Sequence, residues 1–270
     1  MKDNKKLLDI LQGIETKREL EERLLETTDS DLLYHFSEVR ENILNWYPFE
    51  GKESFLEIGA ECGALTGMLC EKVAHVVALE TDALMNEVNQ KRNSQSSNLE
   101  IVEKKIENLG QRKFDYISLI GTLERYHDYS DVMDEREFLK RVKSLLMEQG
   151  TLFLAIDNKF ALKHWAGCKD DISDDSLVKF DKGYSYRDIN ELLKDAGYTE
   201  IEFLFPNPDY EFPMEIFNEE RVPESGFLTN PLASYFSERM VAFDEVNAMD
   251  AVCKDGRFKE FANSYLIMCR

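Results

Sequence analysis

The sequence predicts an α/β protein built on a mostly parallel sheet. Two observations carry this. Short apolar runs alternate with segments of helical spacing through the middle of the chain, and that alternation requires right-handed crossovers between parallel strands. The first run, Phe55-Leu-Glu-Ile58, ends at a glycine-bearing turn, Gly59-Ala-Glu-Cys-Gly63, and a helical pattern follows at once. A strand, a tight loop and a helix start put free N–H groups and the positive end of a helix dipole beside an open backbone.

The elements follow in order. Residues 3–26 are charged, with Leu7, Leu8, Ile10, Leu11 and Ile14 at helical spacing, and predict one or two surface helices. Over 30–46, Leu32, Leu33, Phe36, Val39, Ile43, Leu44 and Trp46 mark a wider apolar stripe that Pro48 closes. Residues 1–50 therefore form a helical cap before the main domain of 51–270. Strands are expected at 54–58, 75–80, 99–102, 114–120 and 150–157, and helices at 63–72, 82–92 and 133–147. Gly150 stands where the third helix should stop before its strand. A helix at 186–195 has Ser185 as N-cap and Gly197 after its end, and a strand at 199–205 follows. Residues 206–237 are rich in Pro, Phe, Tyr and Asn, a helix is expected at 238–252, and the last strand at 262–269. About 206–258 is thus an insertion before the final strand, too long for an idle connection.

Composition excludes several functions. The net charge is −20 and no basic stripe appears, which argues against nucleic acid as a partner. The five cysteines, Cys62, Cys70, Cys168, Cys253 and Cys269, form no C-x-x-C pair and are odd in number. A reducing, cytoplasmic setting is expected, without a disulfide framework. No Cys/His cluster has metal-ligand spacing, and no apolar run reaches membrane-spanning length.

The second apolar run, Val76-Val-Ala-Leu79, ends in Glu80, about twenty residues beyond the turn. An acid there can accept hydrogen bonds from both hydroxyls of a ribose. The two signals together predict a nucleoside cofactor. A dinucleotide needs glycine at the second position of G-x-G-x-x-G, but Glu61 stands there, between Gly59, Gly63 and Gly67. A carboxylate facing a pyrophosphate is costly, so a nicotinamide dehydrogenase is disfavoured. A phosphate-free ligand with cationic groups, such as S-adenosylmethionine, suits the turn better.

Five segments then carry a resemblance: Tyr34-His-Phe-Ser-Glu-Val-Arg-Glu-Asn-Ile-Leu44, Leu56-Glu-Ile-Gly-Ala-Glu-Cys-Gly-Ala-Leu-Thr66, Phe114-Asp-Tyr-Ile-Ser-Leu-Ile-Gly-Thr-Leu-Glu124, Ala155-Ile-Asp-Asn-Lys-Phe-Ala-Leu-Lys-His-Trp-Ala-Gly167 and Phe205-Pro-Asn-Pro-Asp-Tyr210. Over roughly residues 30 to 270 the chain resembles class I S-adenosylmethionine-dependent methyltransferases. More narrowly, through the fourth and fifth segments, it resembles methyltransferase domains found alone or fused to bacterial glycosyltransferases of cell-surface polysaccharide synthesis. The fold so implied is Rossmann-like: a seven-stranded sheet whose last strand runs antiparallel.

The resemblance also assigns roles. Glu57, Gly59, Ala60 and Gly63 match the first motif, and the glycines should wrap the methionine end of S-adenosylmethionine. Glu80, with Thr81 beside it, should hold the ribose. Glu61 replaces a usual glycine and either meets the cofactor's ammonium or points to solvent. After the third strand, Lys105 stands where an adenine-binding acid is common, while Ile106 could stack on adenine and give it a backbone N–H. Gly121 should border the methyl group and acceptor, with Glu124, Tyr126 and His127 next in the loop. His127 is either the general base or a surface histidine, Glu124 is a second proton acceptor, and Asn158 an acceptor contact. Asp209 and Tyr210 could line the acceptor pocket with Tyr34 and Arg40; Arg40 either pairs with the cofactor carboxylate or sits on a helix surface. The acceptor implied is a hydroxyl or amine of a small molecule or a sugar of a glycan precursor, with a glycosyltransferase as partner. The competing reading is a catalytically silent domain that docks onto a glycosyltransferase.

Overall fold

In the computed structural model the described residues are 5–14, 16–168, 180, 183–228, 232–233 and 243–270. The cap comprises α1 (Lys5–Asp9), α2 (Lys17–Leu24), α3 (Ser30–Phe36) and α4 (Asn42–Asn45), with a 3-10 turn over Glu38–Glu41. The core then runs β1 (Ser54–Ile58), α5 (Thr66–Lys72), β2 (His75–Leu79), α6 (Ala83–Arg92), β3 (Leu99–Val102), β4 (Phe114–Ile120), α7 (Glu135–Ser144) and β5 (Leu146–Asp157). It continues through α8 (Leu162–Trp165), α9 (Tyr186–Asp195), β6 (Ile201–Asn207), β7 (Glu215–Asn218), α10 (Glu245–Lys254), α11 (Phe258–Phe261) and β8 (Ser264–Cys269).

The strands form one sheet in the order β3-β2-β1-β4-β5-β8-β6-β7. The pairs among β3, β2, β1, β4 and β5 are parallel, and β8 is antiparallel to both β5 and β6. The chain order reverses between β1 and β4. Ligands of open α/β sheets bind outside the carboxyl ends of the strands at such a point.

The expected architecture is present with corrections. There are eight strands rather than seven, because β7 hairpins back antiparallel onto β6 at the sheet edge. Gly150 does not stop a helix: it lies inside β5, which starts at Leu146, and α7 ends at Ser144. A Cβ at Gly150 would lie 3.0 Å from the Asp115 carbonyl oxygen, so close strand packing is what needs the glycine. The expected helix 238–252 corresponds to α10, while residues 238–242 fall outside the described residues.

Successive strand side chains alternate between two buried layers. Leu56, Ile58, Val77, Leu79, Ile117, Leu119, Leu152 and Leu154 face one, with Phe138, Leu139, Ile189 and Leu193 from α7 and α9. Phe55, Val76, Phe153, Ala155 and Leu266 face the other, with Ile43 and Leu44 from α4, Leu69 from α5 and Leu65 just before it. A third cluster fixes the cap: Leu7, Ile10, Leu11, Leu20, Leu24 and Phe36 bury against Cys62 of the first turn and Val88 of α6. Arg92 of α6 donates to the carbonyls of His35 and Phe36 at 2.7 and 3.2 Å. The cap is thereby fastened over the carboxyl end of β1.

Candidate active site

The turn after β1 is set by its backbone. Gly59 and Gly63 have φ of +81° and +73°, a region only glycine enters cheaply. Gly59 N–H donates to the Leu79 carbonyl at 2.9 Å, which ties the β1 turn to the end of β2. A Cβ on Gly59 would stand 2.4 Å from Thr122 Oγ1, and one on Gly63 2.3 Å from Asn89 Oδ1. The turn is therefore walled by the loop after β4 on one side and by α6 on the other.

Glu80 is 4 % exposed and faces this turn. Its Oε1 accepts from the N–H groups of Thr81 and Asp82 at 2.6 and 3.1 Å. Its Oε2 accepts from Glu61 N–H at 3.2 Å and from the Tyr129 hydroxyl at 3.0 Å. Thr81 thus contributes its backbone N–H and, at 3.4 Å, its hydroxyl to Oε1.

Beyond β3 the reading of the residues needs correction. Ile106 is fully buried, and its N–H donates to the Tyr129 carbonyl at 3.0 Å, so it has no N–H to offer an adenine. The Lys105 ammonium donates to the Asp128 carbonyl at 3.0 Å and pairs with Asp131 at 3.1 Å. Ser130 hydrogen-bonds Glu107. This loop is laced to residues 128–131 instead of being held open by an acid.

A small cleft between the carboxyl ends of β1 and β4 is lined by Arg40, Glu57, Gly59, Ala60, Glu61 and Ser118. A larger depression of about 530 Å³ runs along α6 and the β3 edge, lined by residues such as Asn86, Gln90 and Ile101. It carries no residue of the β1 turn, whereas the small cleft is lined by that turn. Arg40 is 5 % exposed, lies over the Tyr34 ring at 4.0 Å and donates to the Tyr34 carbonyl at 3.0 Å. It is therefore part of the cleft and not of a helix surface. Glu61 does not point to solvent: its carboxylate meets Arg125 at 2.5 Å. Burial alone would raise its pKa, but the charges of Arg125, Arg40 and His35 outweigh it and hold the carboxyl below its usual value.

Glu57 is 4 % exposed and accepts the Thr66 hydroxyl at 2.6 Å. Burial pushes it up to about 7. Folded chains thus keep a proton that unfolded chains release from about pH 4.3 upward. This contribution is present below that value and is lost as pH rises through 7, at a cost on the order of 3–4 kcal/mol. We expect the melting temperature to fall between pH 5.5 and pH 8.5, and Glu57→Gln to flatten that fall. Equal slopes for the two proteins would refute the assignment.

The residues expected to meet the acceptor lie at the ends of β4, β5 and β6. Gly121 has φ of +65°, and a Cβ there would stand 2.7 Å from the Tyr210 hydroxyl, so an aromatic wall closes on it. Glu124 Oε1 accepts from Asp157 N–H at 3.3 Å, while its Oε2 is buried with no partner. Burial, with the Asp157 charge adding, pushes Glu124 up to about 8. Asp157 takes the Lys163 ammonium on Oδ2 at 2.7 Å and leaves Oδ1 buried and unpartnered. Asp209 Oδ1 accepts from the N–H groups of Glu211 and Phe212, both at 3.0 Å. Burial beside Asp209 and Asp157 raises Glu211 to about 8.

Two expected catalytic residues stand elsewhere. His127 is exposed, with its ring 3.9 Å from that of Tyr126. Asn158 is fully buried; its amide donates to the Glu260 and Ala262 carbonyls at 2.8 Å, and its oxygen accepts from Phe160 N–H. A saturated amide with no exposure joins β5 to the start of β8 and cannot touch an acceptor. Arg125, Tyr129, Ser118 and Glu211 went unnoticed in the sequence. The first three lie far along the chain from the β1 turn, and only the adjacency of β1 to β4 would have pointed to them, while Glu211 directly follows Tyr210.

The fold and this site define a class: α/β methyltransferases with the sheet reversal between β1 and β4, a glycine turn, and an acid at the end of β2. Residues 30–202 match the methyltransferase-domain family, and the chain belongs to it. Its cofactor is S-adenosylmethionine. A methyltransferase from Archaeoglobus fulgidus shares the fold, with a TM-score of 0.56, 13 % identity, and coverage of 89 % of this chain and 99 % of its own. One from Thermotoga maritima gives a TM-score of 0.51 and 15 % identity over 97 % of this chain and 98 % of its own. Identities this low speak for the fold alone. No curated protein matches the sequence. The residues lining the cleft suit the polar end of such a cofactor, with charges of both signs and with Ser118 Oγ, 1 % exposed, lacking a hydrogen-bond partner, whereas the free volume of about 10 Å³ is far smaller than the cofactor itself. No helix among the described residues is long and apolar enough to cross a membrane.

Proposed function

We propose that this chain methylates a hydroxyl or amine of a small molecule or glycan precursor, with Glu124 as the general base. The bound cofactor would supply a methyl group activated on sulfonium. Glu80 would hold the ribose and Arg40 the cofactor carboxylate. Gly59 and Gly63 let the backbone come close to it. Gly121, Tyr210, Asp157 and Glu124 form the acceptor side.

The observation that carries this reading is the buried, unpartnered Oε2 of Glu124 in the loop after β4. A base must reach the acceptor proton and have a pKa near working pH, and a carboxyl held at about 8 meets the second condition. The glycan class and a glycosyltransferase partner rest on the segments 155–167 and 205–210, which meet at this same end of the sheet. A cytoplasmic setting agrees with five free cysteines, four of them buried.

The test is a screen of nucleotide sugars, free sugars and small amines with isotopically labelled methyl donor, read as labelled product. Label on a sugar or amine supports the reading. Saturable cofactor binding without transfer to any member would overturn it.

A further inference from the structure

β3 ends the sheet, so one of its two backbone edges has no strand beside it among the described residues. The ladder to β2 shows which groups lie on that edge. The carbonyls of Asn98 and Val102 accept from the N–H groups of Val76 and Glu80, so these two residues face β2. In a parallel strand the N–H and C=O of one residue point to the same side, and the side alternates along the chain. Leu99 and Ile101 therefore send both groups outward. The same two residues line the depression of about 530 Å³ along α6. An open strand edge thus forms one wall of a ready-made channel.

The opposite wall is one face of α6. Ala83, Asn86, Glu87 and Gln90 recur at helical spacing and line it. Asn86 is 8 % exposed; its Nδ2 donates to the Glu80 carbonyl at 3.0 Å, and its Oδ1 has no hydrogen-bond partner. A buried acceptor left open calls for a donor. Glu87 and Glu103 add two carboxylates with no ion pair among the described residues. No Lys or Arg is among the described residues of the lining. Glu100, on the other face of β3, differs: Arg112 donates to both its oxygens at 2.8 Å.

We propose that the channel between α6 and β3 receives an extended basic segment of another polypeptide, added beside β3 as a further strand of the sheet. Its backbone pairs with the outward N–H and C=O groups of Leu99 and Ile101. Lys or Arg at alternate positions reach Glu87, Glu103 and the Asn86 oxygen. A second copy of this chain fits worse, because each copy carries a net charge of −20 and would bring the same acids to the junction. The channel shares no lining residue with the cleft at the β1 turn, so the inference stands apart from the assignment of cofactor and base.

The test uses the whole protein and three blocked hexapeptides at near-physiological salt, where loose surface attraction is screened. One alternates lysine and valine, the second is the same peptide with alternate backbone nitrogens methylated, and the third has glutamate in place of lysine. The first should bind saturably by fluorescence anisotropy and slow hydrogen exchange at the Leu99 and Ile101 amides by about 10-fold or more. The other two should bind at least about 10-fold more weakly. Ile101→Pro removes an outward N–H that no ladder bond uses, and should weaken the first peptide by about 10-fold, as should Glu87→Lys combined with Glu103→Lys. The methylated peptide tests the backbone pairing even if the proline variant does not fold. Equal binding of the methylated peptide would mean adsorption to an acidic surface and overturn the inference. So would equal binding of the glutamate peptide, unprotected Leu99 and Ile101 amides, or no binding of the first peptide. A dimer of the wild type that Ile101→Pro abolishes would give the edge to a second copy and overturn it as well.

Discussion

Replacing Glu80 with alanine should weaken S-adenosylhomocysteine binding by about 100-fold, the largest effect we expect on cofactor affinity. Two charge-assisted hydrogen bonds to the ribose hydroxyls would be lost, together on the order of 3 kcal/mol. The same carboxylate gathers the N–H groups of Glu61, Thr81 and Asp82 and the hydroxyl of Tyr129, so the turns after β1 and β2 would also lose their common anchor. Glu80→Gln separates the two effects, because it keeps an acceptor oxygen for part of that network. Calorimetry alongside a thermal melt makes the comparison. A folded Glu80→Ala protein with wild-type affinity would remove Glu80 from the ribose.

The second large effect concerns turnover. Once an acceptor is known, Glu124→Gln should lower kcat by about 100-fold or more, the usual contribution of a positioned base. Size and shape are nearly kept, so folding and cofactor affinity should change little. The wild-type rate should climb with pH up to about 8, because the working form is the carboxylate and burial holds the proton on until then. The variant should lose that rise. Persistence of the same rise in Glu124→Gln would move the base elsewhere, and a rate retained within about threefold would end the proposal.

The sequence foretold the parts of this site that are local. The glycine turn and Glu80 are legible because strand, turn, helix and second strand end follow one another at fixed spacing. The N-cap at Ser185 is legible because a capping box with Asp188 spans only three residues. β7 escaped notice: Glu215-Ile-Phe-Asn218 is short, lies at an edge and follows Pro213. The start of β5 escaped because Met147-Glu-Gln149 is exposed and polar and continues a helical pattern. His127 and Glu124 are neighbours with equal claims in sequence, and burial separates them. Glu61 was left open between two readings because its partner Arg125 lies 64 residues on. No local pattern records that β1 and β4 are neighbours.

The position of β8 has a consequence for biosynthesis. It lies between β5 and β6, yet it is made after both. Until residues 264–269 have left the ribosome, the nascent protein carries two unpaired strand edges in its middle, which are templates for wrong pairing. The half that holds the ribose can close early, whereas the half that receives the acceptor must wait. Chaperone demand should therefore fall on the interval between the emergence of β6 and that of β8.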